Sequence, residues 1–306
     1  MIDGIPVIVA DIREYINHSS FCVMKRNDYS ENMESLLGDC MGPGSMFDSI
    51  RQYLSTYGFD HYGDLDVREP EPSNVIPGSV LGLLSESLEK ITTPVNGPII
   101  DLGCSVGRTS FELSKKFNTS VIGIDLNFSM LQAAANVIET GRFTYPKRTE
   151  GIAYDKKIIE TDFKDNNDVD FWVCDGLNLP FFDSLFSFGL SLNLLDCVGS
   201  PYLHLQEFAR VLKQGANAII STPYDWSPSA VPVENWLGGH SQRSESKGRS
   251  ETMLRSLFSR GGHPDAIETL ELIFEKQNLP WTVRIHNRSV MNYSVHVMGL
   301  KKLMVE

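Results

Sequence analysis

Two glycines, a serine and a set of carboxylates are spaced along this chain in a way that suits the holding of a small ligand. In Pro98-Ile-Ile-Asp-Leu-Gly-Cys-Ser-Val-Gly-Arg108, Ile99 and Ile100 suit a buried strand of a parallel sheet. Gly103 and Gly107 then let the backbone turn sharply and approach a ligand closely, and a helix begins near Arg108. The spacing Asp-x-Gly-x-x-x-Gly differs from the dinucleotide fingerprint Gly-x-Gly-x-x-Gly and lacks the Lys-Ser/Thr pair of a phosphate-binding loop, so a diphosphate is not the obvious ligand. The next apolar run, Val121-Ile-Gly-Ile-Asp125, ends on a carboxylate placed to accept both hydroxyl protons of a ribose. A third run, Phe171-Trp-Val-Cys-Asp-Gly176, ends on Asp175, and a fourth, Leu185-Phe-Ser-Phe-Gly-Leu-Ser-Leu-Asn193, ends on Asn193. Ligands of open parallel sheets bind at such carboxyl ends of strands. A lone glycine-rich turn is common to every α/β fold, whereas Asp101, Asp125 and Asp175 at successive strand ends point to a nucleotide-cofactor crevice.

A second set of residues could face whatever reacts there. After a further apolar strand the chain reads Ser221-Thr-Pro-Tyr-Asp-Trp226 and, later, Glu234-Asn-Trp-Leu-Gly-Gly-His240. Tyr224 and Trp226 could form an aromatic wall, with Asp225 available to hold a cation or accept a proton, while Trp236 and the glycine pair shape the return of the loop. The same tryptophans would equally serve to pack a proline-stiffened loop on the core. His240, His286 and His296 are candidate proton acceptors, because an unperturbed imidazole titrates near neutrality, although a lone histidine is more often structural. Arg284, His286 and Arg288 share one strand face by alternation, where either arginine could bind a carboxylate with bidentate geometry; a polar outer face is the alternative.

The elements that must position these residues alternate between strand and helix. Strands are expected at 99–102, 120–125, 171–174, 185–191 and 216–222, with helices at 107–117, 128–139 and 201–212. Helices within 251–277 and two last strands near 281–286 and 293–301 complete the pattern, which predicts a parallel doubly wound sheet. Insertions fall at 141–170 and 224–250, the latter containing the polar stretch Ser241 to Ser250. Residues 1–90 read as a mainly helical cap ahead of a catalytic domain at 91–306. The cap has a short strand at 6–10, helices at 46–57 and 78–90, and loops at 38–44 and 68–74 that could sit over a ligand.

Composition narrows the classes further. At 306 residues with 42% hydrophobic and 22% charged content, the chain is long enough for one large domain with an extension. The formal net charge of -12 argues against broad nucleic-acid binding. The five cysteines Cys22, Cys40, Cys104, Cys174 and Cys197 include no Cys-x-x-Cys pair, which suggests neither a zinc site nor a disulfide framework and fits a reducing cytoplasm. No apolar run reaches the roughly 18 residues of a membrane span.

Together the glycine-rich turn and the acidic second-strand end resemble motif I and its partner in class I S-adenosylmethionine-dependent methyltransferases. The resemblance implies an α/β, Rossmann-like, doubly wound seven-stranded sheet of mostly parallel strands. It also implies a cofactor site built from Asp101, Gly103, Cys104, Ser105, Gly107, Arg108, Asp125, Leu126, Met130, Cys174, Asp175, Gly176 and Asn193. There Asp175 would accept the adenine amino proton, and Asn193 would sit beside the transferable methyl. A narrower resemblance, over roughly residues 98–302, is carried by Pro223-Tyr-Asp-Trp226 with Glu234-Asn-Trp-Leu-Gly-Gly239, Gly141-Arg-Phe-Thr-Tyr145 with Glu150-Gly151, and Leu279-Pro-Trp-Thr-Val-Arg284 with Arg288. These look like the methyltransferase domain of ovothiol synthases, which methylates the imidazole of a thiol-bearing histidine. The resemblance implies a stand-alone N-methyltransferase of a small histidine-like or amino-acid-derived acceptor, with Asp225, His286 and Tyr224 in catalytic roles and Tyr224, Trp226, Trp236, His240, Arg284 and Arg288 around the acceptor. No metal is called for. A peptide or protein side chain or a natural-product precursor is the alternative acceptor, an inactive binding protein is the alternative outside enzymes, and the oligomeric state is left open.

Overall fold

A computed structural model describes residues 1–26, 28–66, 75–239 and 241–304. The expected loop at 68–74 and His240 therefore lie outside the described residues. Strands β2 (Ile99–Leu102), β3 (Val121–Asp125), β6 (Val169–Cys174), β7 (Phe186–Leu192) and β8 (Leu212–Thr222) form the parallel centre of one sheet. Its full order is β1-β6-β3-β2-β7-β8-β10-β9, eight strands rather than seven. The additional strand is β1 (Val7–Ile8), which pairs parallel with β6 at the edge, so the first residues of the cap extend the sheet. This is a Rossmann-like α/β architecture.

At the other edge the structure departs from the expected helices within 251–277. Only α8 (Ser250–Leu257) is helical, and β9 (Leu270–His286) is one long strand paired antiparallel with β10 (Ser289–Lys302). The run Leu270-Glu-Leu-Ile-Phe-Glu is short and apolar, and such a run suits either helix or strand. Pairing along nearly the whole of β10 decides for strand, and exposure then alternates along its first half. The insertion at 141–170 contains β4 (Arg142–Glu150) and β5 (Ala153–Glu160), which form a separate two-stranded hairpin.

Helices cover both faces. On one side lie α3 (Met46–Tyr62), α4 (Ser79–Leu88), α5 (Arg108–Phe117) and α6 (Phe128–Thr140), over a core that includes Phe59, Tyr62, Leu83, Phe111, Leu131, Phe143 and Phe171. On the other, α7 (Pro201–Val211) and α8 enclose Phe186, Leu205, Phe208, Leu254 and Leu257. In the cap, α1 (Ile12–Met24), α2 (Glu31–Met41) and α3 begin where Asp11, Ser30 and Ser45 accept a backbone N–H from Glu14, Met33 and Asp48, satisfying donors that a helix start leaves open. Helix α2 runs through Gly38, so the expected loop at 38–44 begins only at Gly42.

Specific polar contacts fix the cap on the sheet. Tyr62 donates its hydroxyl to the Val106 carbonyl at 3.0 Å, and Tyr15 donates to the Leu126 carbonyl at 3.0 Å. The buried Asp60 accepts from Ser79 Oγ at 2.8 Å, from the Val80 N–H at 3.0 Å and from Trp281 Nε1 at 3.0 Å, joining α3, α4 and β9. Burial raises the Asp60 carboxyl to about 6 against the pull of those three donors. Trp281→Phe keeps the ring but leaves one oxygen of Asp60 without this donor. We expect a loss of about 1–3 kcal/mol in urea unfolding, the cost of an unsatisfied buried group; an unchanged midpoint would contradict the role given to this bond.

Candidate functional site

The ends of β2, β3, β6, β7 and β8 open on one crevice. Gly103 at φ +72°, Ser105 at φ +54° and Gly107 at φ +83° turn the chain between β2 and α5. A β-carbon on Gly103 would lie 2.9 Å from the Leu194 side chain, and one on Gly107 would lie 2.5 Å from the Phe171 ring. Both positions thus demand glycine for space as well as for backbone angle. Three residues other than glycine, Ser105, Asn193 and Tyr224, also adopt positive φ at the ends of β2, β7 and β8. Such backbone costs free energy and clusters at functional sites.

The turn is held by carboxylates. Asp101, buried at the end of β2, accepts Thr109 Oγ1 and Ser110 Oγ, each at 2.7 Å, and so brackets the first turn of α5. Asp125 accepts the Ser105 N–H at 3.1 Å through one oxygen and the Asn127 N–H at 2.8 Å through the other. Burial raises both carboxyls, Asp101 to about 6. Beside them Cys104 is buried, and Ser105 Oγ donates to the Met130 sulfur at 3.3 Å. Leu126, 48% exposed, lies where Tyr15 bonds its carbonyl. Asp175 accepts the Leu177 N–H at 2.9 Å, next to the buried Cys174 and to Gly176, whose carbonyl meets His204 Nδ1. Asn193 accepts Ser221 Oγ at 2.8 Å, while its buried Nδ2 donates to no described residue.

Arg108 is placed differently from the rest. Its guanidinium is buried and donates to Asp64, to Glu112 and to the His61 carbonyl, so it fastens α5 to the cap.

Beyond Asn193 the crevice is lined by residues that patterning did not single out. Asp196, buried, accepts Thr222 Oγ1 at 3.2 Å and the Asp225 N–H at 2.7 Å, tying the loop after β7 to the loop after β8. Burial first, then the charges of Asp196, Asp225 and Asp125 acting together, pushes the Cys197 thiol up to about 12. Tyr57 of α3 is likewise raised, first by burial and then by the charges of Cys197, Asp60 and Asp125. Tyr293 donates to Asp225 Oδ2 at 2.9 Å and stacks on Trp281 with ring centroids 5.0 Å apart. The crevice is therefore walled by carboxylates and tyrosines. Asp196 lies three residues beyond the fourth strand end, the one feature in the sequence that marks it; Tyr57 and Tyr293 are brought in only by the docking of cap and hairpin.

Tyr224 and Asp225 turn to opposite faces of the sheet. Asp225 meets Tyr293, on the side packed by the cap, whereas Tyr224 packs with Trp226 and Met253 on the side of α8. There the Tyr224 hydroxyl lies 2.6 Å from His296 Nδ1, and His296 Nε2 lies 3.1 Å from Glu275 Oε2, which also pairs with Arg255. Trp226 donates to Ser250 Oγ at 2.7 Å and stacks on Trp236, which donates to the Val231 carbonyl. Both tryptophans hold the 224–250 loop to itself and to α8.

The expected strand face of Arg284, His286 and Arg288 does not form. Asn287 and Arg288 are the turn between β9 and β10, and His286 Nδ1 accepts the Arg288 N–H within it. Arg284 is buried over the Phe59 ring and donates to the Arg148 carbonyl and to Asn287, whereas Arg288 is exposed beside Glu150. Among the described residues no cluster of three or more His, Cys, Asp or Glu could hold a metal, and no helix is long and apolar enough to cross a membrane.

The raised Asp101 carboxyl has a measurable consequence. Between about pH 4 and about pH 6 the folded chain keeps a proton at Asp101 that the unfolded chain has shed, so this group makes folding stability fall as pH rises through that window, by about 2–3 kcal/mol. Asp101→Asn, which still accepts both hydroxyls through one oxygen, should flatten this part of the dependence in urea unfolding at pH 4.5 and pH 7. An identical slope in the variant would contradict the assignment.

Comparison with known proteins agrees with this geometry. Residues 95–253, about half of the chain, match the family described as methyltransferase domain. Methyltransferase GfsG of Streptomyces halstedii is 22% identical over 60% of this chain and 63% of its own length, so the match spans less than two thirds of that relative. O-methyltransferase rstn1 of Aspergillus nomiae is 23% identical over 58% of this chain and 69% of its own. Among solved structures, the [4+2]-cyclase SpnF covers 89% of this chain and 97% of its own with a TM-score of 0.52 at 14% identity, a likeness of fold alone. The glycine turn, the acidic strand ends and the five central parallel strands all fall within what that family match covers, and the chain belongs to the methyltransferase domain family, as a class I methyltransferase.

Proposed function

We propose that this chain transfers a methyl group from S-adenosylmethionine to a ring nitrogen of a small histidine-like acceptor. The donor assignment rests on fit. Asp125, with each oxygen already turned to a backbone N–H, has lone pairs left for the ribose hydroxyls, and Asp175 would take the adenine amino group. The buried, unpartnered Nδ2 of Asn193 is a donor in want of an acceptor on the ligand, and the glycines at 103 and 107 keep the turn free of side chains where a ligand would approach. When bound, the donor supplies an electrophilic methyl on a sulfonium, so the protein needs no covalent nucleophile.

One observation carries the acceptor assignment: Asp225, oriented by Tyr293 and by the Asp196 bond to its own backbone, stands in a crevice of carboxylates and tyrosines. A carboxylate there accepts the N–H of one imidazole nitrogen. That bond fixes the tautomer, leaves the lone pair on the other nitrogen free to attack, and gives the ring proton somewhere to go as the ring becomes cationic. The Tyr293 ring beside Asp225 offers a face to the developing cation. The Pro223-Tyr-Asp-Trp226 and Glu234-to-Gly239 signature, similar to that of the ovothiol synthase methyltransferase domain, supports the same acceptor class. In this reading Tyr224, Trp226 and Trp236 shape the loop that presents Asp225, and neither Arg284 nor His286 takes part in the chemistry.

The similarity to O-methyltransferase rstn1 favours a second acceptor, a hydroxyl whose proton Asp225 would take. Incubation with S-adenosylmethionine and a panel of thiol-bearing histidine, histidine and phenolic compounds, read by fragment mass spectrometry, separates the two. We expect one methyl on an imidazole nitrogen, and Asp225→Asn should lower kcat/KM for that substrate by about 100-fold or more without change in donor affinity. Methylation of phenols alone, or full activity in Asp225→Asn, would overturn this acceptor assignment.

A further inference from the structure

Helix α3 carries a second built site, around Arg51. Between α2, α3 and the β4–β5 hairpin lies a cavity of about 220 Å³ lined by Glu31, Asn32, Glu34, Ser35, Arg51, Pro146, Tyr154 and Lys156. Arg51 is only 7% exposed, yet among the described residues no hydrogen bond or ion pair reaches its guanidinium, and its Nε is buried without a partner. The Tyr154 ring lies 3.8 Å from the guanidinium carbon and the Phe47 ring 5.3 Å from it, so aromatic rings cover its faces. The N–H edge is what remains for bonding. Tyr154 is in turn held by Asp48, which accepts its hydroxyl at 3.1 Å.

Gly38, in the interior of α2, adds an independent sign of construction. A β-carbon there would collide with Nη1 of Arg51, so α2 can pass the guanidinium only with glycine at this position. Glycine inside a helix costs about 1 kcal/mol, and a buried guanidinium on which Glu34, Asp48 and Asp39 act through charge alone, without a hydrogen bond, adds to that cost. Both costs are borne at one point, and burial accordingly lowers the basicity of Arg51.

We propose that this cavity binds a free α-amino acid, with its carboxylate on the guanidinium edge of Arg51 and on Lys156 and its ammonium on Glu31 and Glu34. The lining holds two cationic and two anionic side chains, the complement of a zwitterion, and a planar carboxylate matches the bidentate fork of an arginine. The volume limits the ligand to the size of a single amino acid. Because Arg51 and Tyr57 lie on one helix, an occupant here would steady the same α3 that reaches into the crevice.

The test is a thermal-melt screen of the twenty common amino acids on the whole chain, followed by calorimetry with the strongest of them and with its decarboxylated and deaminated counterparts. Expected are one site per chain, at least tenfold weaker binding of both single-charge counterparts, and at least tenfold loss in Arg51→Met. The surface variants Lys156→Met and Glu34→Gln should weaken binding as well, and they decide the matter should Arg51→Met not fold. Asp225→Asn should bind as the parent chain does. The proposal is overturned if no amino acid binds, if a single-charge counterpart binds equally well, or if binding is lost in Asp225→Asn but kept in the Arg51, Lys156 and Glu34 variants, which would place the ligand in the crevice.

Discussion

The attachment of the glycine turn to Asp125 is the constraint on which the rest of this site depends. A strand end, a turn in left-handed backbone and a helix start must all meet the ligand from one side, and none of them is rigid alone. Asp125 joins them by accepting the Ser105 N–H from the turn and the Asn127 N–H at the start of α6, while Asp101 bonds the two hydroxyls of the first turn of α5. Both carboxyls are held in a medium that resists their charge, so these bonds are strong and their loss is costly. What the nucleoside would meet is thus a frame already assembled before it arrives.

The same logic extends outward through the cap. Asp60 ties α3 and α4 to Trp281; Trp281 stacks on Tyr293; Tyr293 orients Asp225. This run of contacts links the cap to Asp225 after β8, while Tyr62, Tyr15 and Arg108 link it to the glycine turn and to the end of β3. The cap therefore completes both halves of one chamber. On the far side of the sheet, the Tyr224, His296, Glu275 and Arg255 contacts hold the loop that presents Asp225, a supporting role for residues whose types alone suggested chemistry.

The parallel centre of the sheet was legible because apolar runs that end on Asp or Asn, at Asp101, Asp125, Asp175 and Asn193, read as buried parallel strands, and the sheet contains them as such. The hairpin at β4–β5 and the first half of β9 were not legible. Their strand character comes from pairing with a partner adjacent in the chain, which periodicity does not report. Tyr224 and Arg284 show a second limit. Residue type marked both as reactive, yet a positive φ turns Tyr224 to the opposite face, and the docking of α3 and β4 buries Arg284. Asp196 and Tyr293 matter through contacts between segments far apart in sequence, so no local pattern announces them.

The central claim is that the crevice at the strand ends is a donor site framed by Asp125. Calorimetric titration of S-adenosylhomocysteine into the chain and into Asp125→Ala tests it most directly. The account predicts one site per chain and at least tenfold weaker binding in the variant, with folding retained by circular dichroism. Absence of binding to the parent chain, or equal affinity in the folded variant, would contradict it.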